Sequence, residues 1–248
     1  MIIDSHVHLK HGDAAGTEYP AQEIVRIMDA AGIDRAVVFA MSTTTRRSME
    51  MAEEVVCRFP GRLIPYAYAL PNYERPALKE LEEAVSQRGF RGIKIHAGEC
   101  TLGEHVVDPV LELAATHDVP CLIDFCGNLA AAERLARRFP ETKIIAAHLG
   151  RYLTADEQLM DRFIELSAAH DNVYLDVSGV AKPEKIRDAV RRVGSSRVIW
   201  GSDGPQKAPD TVTFIQNELG RVKALNLSAS QEAEVLGRNI ARLLKIAT

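Results

Sequence analysis

The 248-residue sequence predicts an α/β fold, a single (β/α)8 TIM barrel with C-terminal helices, occupying residues 1–248 as one domain. Three observations carry this. Short apolar runs alternate with amphipathic segments along the whole chain, the rhythm of a parallel sheet covered by helices. Eight such pairs can be read, and the length is that of one barrel. No Gly-rich dinucleotide fingerprint is present, whereas an open doubly wound sheet, the alternative that periodicity allows, would commonly carry one.

In chain order the strands are expected at 2–8, 35–40, 63–69, 92–96, 119–124, 143–147, 173–176 and 197–200, each short, apolar and often β-branched. Between them the period changes from 2 to 3.6. Ile24, Ile27, Met28 and Ala31 fall on one helical stripe, as do Leu129, Ala132, Leu135, Ala136 and Phe139, and these stripes should face the sheet. Boundaries come from Phe59-Pro60-Gly61, Gly89, Phe139-Pro140 and Gly194. No linker, repeat or low-complexity tract interrupts the pattern.

A barrel carries its chemistry at the carboxyl ends of its strands, and polar residues stand there. Side chains alternate along a strand, so Asp4, His6 and His8 should share one face and Ile3, Ser5 and Val7 the other. Two imidazoles at i, i+2 can meet one zinc ion, although a bare His-x-His also occurs by chance. His148 ends the run Ile-Ile-Ala-Ala-His, and Asp203 follows Val-Ile-Trp-Gly-Ser. Asp203 could bind a metal, accept a proton from water or do both; its plain reading is a turn before Gly204-Pro205. Lys94 and His96 share a strand face opposite Ile93 and Ile95. An inward lysine needs a partner: a substrate carboxylate, a carbamate bridging metals, or an ion pair with an acidic strand end. His96 reads equally as a substrate contact or a satisfied barrel histidine. Arg46, Arg47, Arg151 and Lys207 are expected on the same rim, where they would suit an anionic substrate or stand solvated.

With these segments in view, Asp-Ser-His-Val-His, Gly-Ile-Lys-Ile-His, Ala-Ala-His-Leu-Gly, Gly-Ser-Asp-Gly-Pro and the closing Leu-Gly-Arg-Asn-Ile-Ala-Arg-Leu-Leu occur in an order that resembles the amidohydrolase superfamily. The resemblance is to its amidohydrolase-related branch of metal-dependent hydrolases and decarboxylases. It implies His6, His8 and Asp203 as metal ligands, His148 as the sixth-strand catalytic histidine, and Asp203 as proton acceptor. One position departs: where such proteins carry a fifth-strand histidine, this chain reads Leu122-Ile-Asp-Phe-Cys-Gly. Asp124 could supply a carboxylate ligand instead, with a divalent ion, zinc first and manganese or magnesium as alternatives. Lys94, His96, Arg46 and Arg151 are then the expected substrate contacts. The leading expectation is hydrolysis of a small substrate, which could bear a carboxylate, by metal-activated water. Non-oxidative decarboxylation of an aromatic or unsaturated acid is the alternative, and a barrel serving only as a binding module is a third.

Composition sets the surroundings. Thirty Lys and Arg against 34 Asp and Glu give a net charge of -4 with no concentrated basic stretch, so nucleic acid is not an expected partner. No apolar run approaches the ~20 residues of a membrane span, and a cytoplasmic location is the expectation. A homo-oligomer is compatible with the sequence. Cys57, Cys100, Cys121 and Cys126 include no CxxC pair, so reduced thiols are expected, with Cys126 as a candidate nucleophile.

Overall fold

A computed structural model describes residues 1–73 and 77–247. The strands are β1 (Ile3–Lys10), β2 (Arg35–Ala40), β3 (Leu63–Pro65), β4 (Ala67–Tyr68), β5 (Ile93–His96), β6 (Cys121–Asp124), β7 (Ile144–Ala146), β8 (Val173–Asp176) and β9 (Val198–Ile199). The helices that follow them are α1 (Ala21–Ala31), α2 (Thr45–Arg58), α3 (Leu78–Gln87), α4 (Glu104–Thr116), α5 (Leu129–Arg138), α6 (Glu157–Ala169), α7 (Pro183–Val193) and α8 (Thr211–Lys223). All strand pairs are parallel, ordered β1-β2-β3 and β4-β5-β6-β7-β8-β9.

The expected third strand is thus one run in two halves. Its first half pairs with β2, and beyond Tyr66 its second half pairs with β5; the Tyr66 N–H still donates to Val38 O (3.0 Å) while the Ala67 N–H donates to Gly92 O (2.9 Å). The other join lies between the first and last strands. The Ser5 N–H donates to Trp200 O (3.3 Å), the Asp203 N–H to His6 O (2.9 Å) and the His8 N–H to Gly204 O (2.7 Å), which closes the (β/α)8 barrel.

Alternation sorts the strand residues. Val37, Phe39, Tyr66, Leu122, Ile145 and Ile199 pack inside the barrel, and Ala36, Val38, Ile93, Ile95, Ile123 and Val198 pack outward against the helices. β1 breaks the rule. Ile3 joins the inner cluster, Val7 and Leu9 the outer one, and the register slips between Asp4 and Val7. This bulge corrects the expectation that Asp4 shares a face with His6 and His8, because one extra residue inverts the side-chain parity. Asp4 is buried at the seam instead, where its Oδ1 accepts from the backbone N–H groups of Ser202 (2.8 Å) and His6 (3.1 Å).

Past α8 the chain forms α9 (Ala229–Ala233), a π-helical turn at Glu234–Arg238 and α10 (Asn239–Leu244). Ile240, Leu243 and Leu244 of α10 join Ile3 in the inner cluster, so this segment plugs the end of the barrel remote from the strand termini. Among the described residues, no helix is long and apolar enough to cross a membrane.

Candidate active site

A cavity of about 510 Å³ opens at the carboxyl ends of the strands and is lined by His6, His8, Lys94, His96, Asp124, His148 and Asp203 together with His11, Gly12, Asp13, Met41, Gly98, Glu99, Tyr152 and Gln206. Four segments singled out in the sequence therefore converge. The backbone turns sharply where it delivers them: His148, Asp203 and Cys126 have φ of 61°, 58° and 49°. Left-handed conformations at non-glycine residues cost on the order of 1–3 kcal/mol each and gather at functional sites.

The tightest cluster is His6, His8 and Asp203. Asp203 Oδ1 lies 3.0 Å from His6 Nε2 and 2.9 Å from His8 Nε2. The proton positions around His6 follow from its neighbours. The one hydroxyl hydrogen of Ser178 goes to Asp176 Oδ1, so Ser178 Oγ accepts from His6 Nδ1 at 3.3 Å. That leaves an unprotonated Nε2 facing a carboxylate oxygen, two acceptors in contact unless a cation lies among them. Ligands each about 2.0–2.1 Å from a tetrahedral ion stand ~3.3 Å apart. The donor set fits a divalent ion. Lys94 Nζ stands 3.1 Å from His6 Nε2, and burial pulls the pKa of this ammonium below its ordinary value. Burial likewise lowers the pKa of His6 and brings that of His8 down to about 3, so both rings are neutral, as ligation requires.

His148 is arranged differently. Its Nδ1 lies 2.9 Å from Ser178 O and its Nε2 3.4 Å from Asp124 Oδ2, so each ring nitrogen faces an acceptor. Burial works against the charged form, but Asp203, Asp124 and Asp176 outweigh it and raise the pKa to about 9. Asp203 is held well below the usual carboxylate range: burial opposes this, but the surrounding imidazoles of His6, His148 and His8, with His148 charged and His8 hydrogen-bonded to it, prevail.

Asp124, expected as a fourth ligand, lies apart from the cluster. Its Oδ1 accepts from the Cys126 N–H (2.8 Å) and its Oδ2 stands between His148 and His96 Nε2 (3.2 Å). His96, Asp124 and Cys126 form a second grouping of ligand-type atoms. It suits an ion poorly. The Gly98 N–H donates to His96 Nδ1 (3.0 Å), which puts the ring proton on Nε2, against Asp124. A third grouping, His6, His148 and Asp176, surrounds Ser178, whose hydroxyl already occupies the space. The Cys126 thiol is pushed up to about 11, burial first, so it lacks the thiolate character of a nucleophile.

The arginines lie elsewhere. Arg46 forms ion pairs with Glu83 (3.1 Å) and Glu80 (3.6 Å) and lines a different cavity, and Arg47 lines a third. Arg151 packs its side chain near Gly127, and neither it nor Lys207 lines the active-site cavity. Sequence reasoning missed Asp176 and Ser178, which support both His6 and His148. Their signal was present: Leu175-Asp-Val-Ser-Gly continues an apolar strand with two polar residues at i, i+2, as His6 and His8 do. Tyr152, His11 and Glu99 sit on loops, where no period marks them. Tyr152 packs edge-on against His148 (5.2 Å between centroids), and among the described polar side chains lining the cavity its hydroxyl alone has no protein hydrogen-bond partner.

The family model described as amidohydrolase matches residues 3–246. No curated protein matches the chain. Solved structures do. An amidohydrolase from Burkholderia multivorans with bound zinc is 17% identical, with 100% of each chain covered and a TM-score of 0.77. A dihydroxybenzoic acid decarboxylase from Polaromonas sp. JS666, bound to manganese and the inhibitor 2-nitroresorcinol, is 18% identical over 98% of this chain and 96% of that one, with a TM-score of 0.74. A probable 2-pyrone-4,6-dicarboxylic acid hydrolase from Acinetobacter baumannii, with citric acid bound, is 17% identical over 99% of each chain, with a TM-score of 0.73. At these identities the likeness is one of fold.

Proposed function

The chain belongs to the amidohydrolase family, and from that membership and its cavity we propose that it is a metal-dependent hydrolase of a small substrate. The observation that carries this reading is the placement of Asp203 Oδ1 within about 3 Å of both His6 Nε2 and His8 Nε2, in the same cavity as a doubly hydrogen-bonded His148. His6, His8 and Asp203 hold the ion, zinc or manganese by the mixed nitrogen and oxygen donors, with magnesium less suited to imidazoles. An ion held there supplies Lewis acidity and a water that ionises near neutral pH.

The chain's own groups do the rest. Asp203 accepts the water proton and returns it to the leaving group. His148, charged and fixed by Ser178 O and Asp124 Oδ2, donates toward the oxygen on which negative charge develops, and the Tyr152 hydroxyl offers a second donor beside it. Asp176 and Ser178 orient His6 and His148 from below. Asp124 serves His148 rather than the ion. Lys94 and His96 stand close enough to touch a bound substrate.

Decarboxylation of a carboxylic acid is the second reading, because a similar fold carries out that reaction in the Polaromonas protein. Elemental analysis of the purified protein followed by turnover in ¹⁸O-labelled water tests both. One metal ion per chain and label in the product are the expected results. Carbon dioxide released without label would establish the second reading, and full activity without a metal would sink both.

A further inference from the structure

The wall formed by the loops after β1 and β5 gives the cavity a chemical preference. Glu99 is its centre. The Ser42 hydroxyl donates to Glu99 Oε1, while the Ser42 N–H (3.1 Å) and the buried Tyr68 hydroxyl donate to Oε2. Burial pushes the Glu99 carboxyl up, but these donors and nearby His96 outweigh it and hold the group ionised. The β1 loop packs against it: a Cβ at Gly12 would lie 3.2 Å from Glu99 Oε1 and 3.1 Å from Ser42 Oγ, and Asp13 beside it lines the same cavity. A carboxylate oxygen accepts about two hydrogen bonds, and Oε1 has taken one.

Among the described residues no arginine or lysine is paired with Glu99 or Asp13 on this wall. Of the described residues, no arginine lines the cavity, and its one lysine, Lys94, stands with the charged His148 beside the ligand cluster. A carboxylate at the end of a substrate that rests on this wall would meet two like charges there. A hydroxyl, amide or ammonium would find open acceptors.

We infer that this cavity selects substrates whose end remote from the reacting group donates hydrogen bonds and carries no negative charge, with Glu99 as the main specificity-determining residue. The inference rests on the metal-hydrolase reading for which end of the substrate reacts.

Three hydroxamic acids that chelate an ion at one end and differ only at the other provide the test: 4-hydroxybutanohydroxamic acid, 4-aminobutanohydroxamic acid and the monohydroxamate of succinic acid. Each is titrated calorimetrically into the full-length zinc-loaded protein. The hydroxyl and ammonium compounds should bind at least tenfold more tightly than the carboxylate, and Glu99→Gln should reduce that ratio to below threefold chiefly by improving carboxylate binding. Should Glu99→Gln fail to fold, as thermal unfolding would reveal, Asp13→Asn on its exposed loop should narrow the ratio in the same direction. Equal or tighter binding of the carboxylate to the wild type overturns the inference while leaving the metal site intact. A ratio unchanged in a folded Glu99→Gln removes Glu99 as its cause. Failure of all three compounds to bind sinks the metal-site reading, and the selectivity with it.

Discussion

Asp124 stands where the sequence pattern led one to expect a histidine ligand, and its neighbours give it a different task. Its Oδ2 faces His148 at 3.4 Å, and it is one of three carboxylates that lift the pKa of His148 to about 9 against the effect of burial. A histidine with a raised pKa is charged below that value and neutral above it. If the charged form is the donor, kcat/KM should hold on the acid side and fall as pH rises through the His148 pKa. Asp124→Asn keeps the shape and removes one charge, so its alkaline limb should move toward neutral pH. A pH profile of kcat/KM for both proteins checks this, and coincident limbs would remove Asp124 from the role. Asp203→Asn should reduce kcat at saturating metal by about 10²–10⁴, the usual worth of a general base. Much of the candidate site was legible at this scale, since His6, His8, His148 and Asp203, which share one cavity, are marked in the sequence by their places at strand ends. What was not legible depends on long side chains and distant partners. Arg46 looked like a rim cation until Glu80 and Glu83, more than thirty positions away, captured it.

Each strand found in the structure lies within an expected run or extends it, because alternation of apolar residues is a local signal that burial enforces. Two features escaped that signal: the bulge in β1 and the division of the third strand at Tyr66, both set by pairing with neighbours rather than by residue type. The closing Leu-Gly-Arg-Asn segment was recognised as a motif, and the structure gives it a mechanical reason. A Cβ at Gly237 would lie 2.4 Å from the Met1 carbonyl oxygen, so the π-helical turn can bear against the start of β1 only with glycine there. Asn239 Nδ2 donates to Ser195 O (2.6 Å) and Val198 O (2.9 Å), pinning the start of β9. Both strands of the barrel seam are therefore held at their starts by one short segment. Gly237→Ala should cost about 1–3 kcal/mol, the usual penalty of overpacking a site that must shift its backbone. Urea unfolding should show a lower midpoint at an unchanged m-value; a midpoint equal to the wild type would mean that Met1 moves aside freely.

Across the whole molecule, the candidate ligands straddle the seam that closes the barrel. His6 and His8 lie on β1 and Asp203 just beyond β9, and the same residues exchange the backbone bonds Asp203 N–H to His6 O and His8 N–H to Gly204 O. An ion bound to all three side chains would tie the first strand to the last, nearly two hundred positions apart, and would bind the folded state alone. Stability should then depend on free metal: at one hundred times the dissociation constant, the gain is about 2.7 kcal/mol. Chelation should lower the melting temperature, and zinc or manganese should restore it. The loss should also be local before it is global. Hydrogen exchange at the amides of Ser5, His8 and Asp203 should quicken on chelation, while the amides of β6 and β7, on other strands of the barrel, keep their protection. Uniform loosening of all strands would argue for a metal bound elsewhere, and no change at the seam would separate these three side chains from any ion the protein carries.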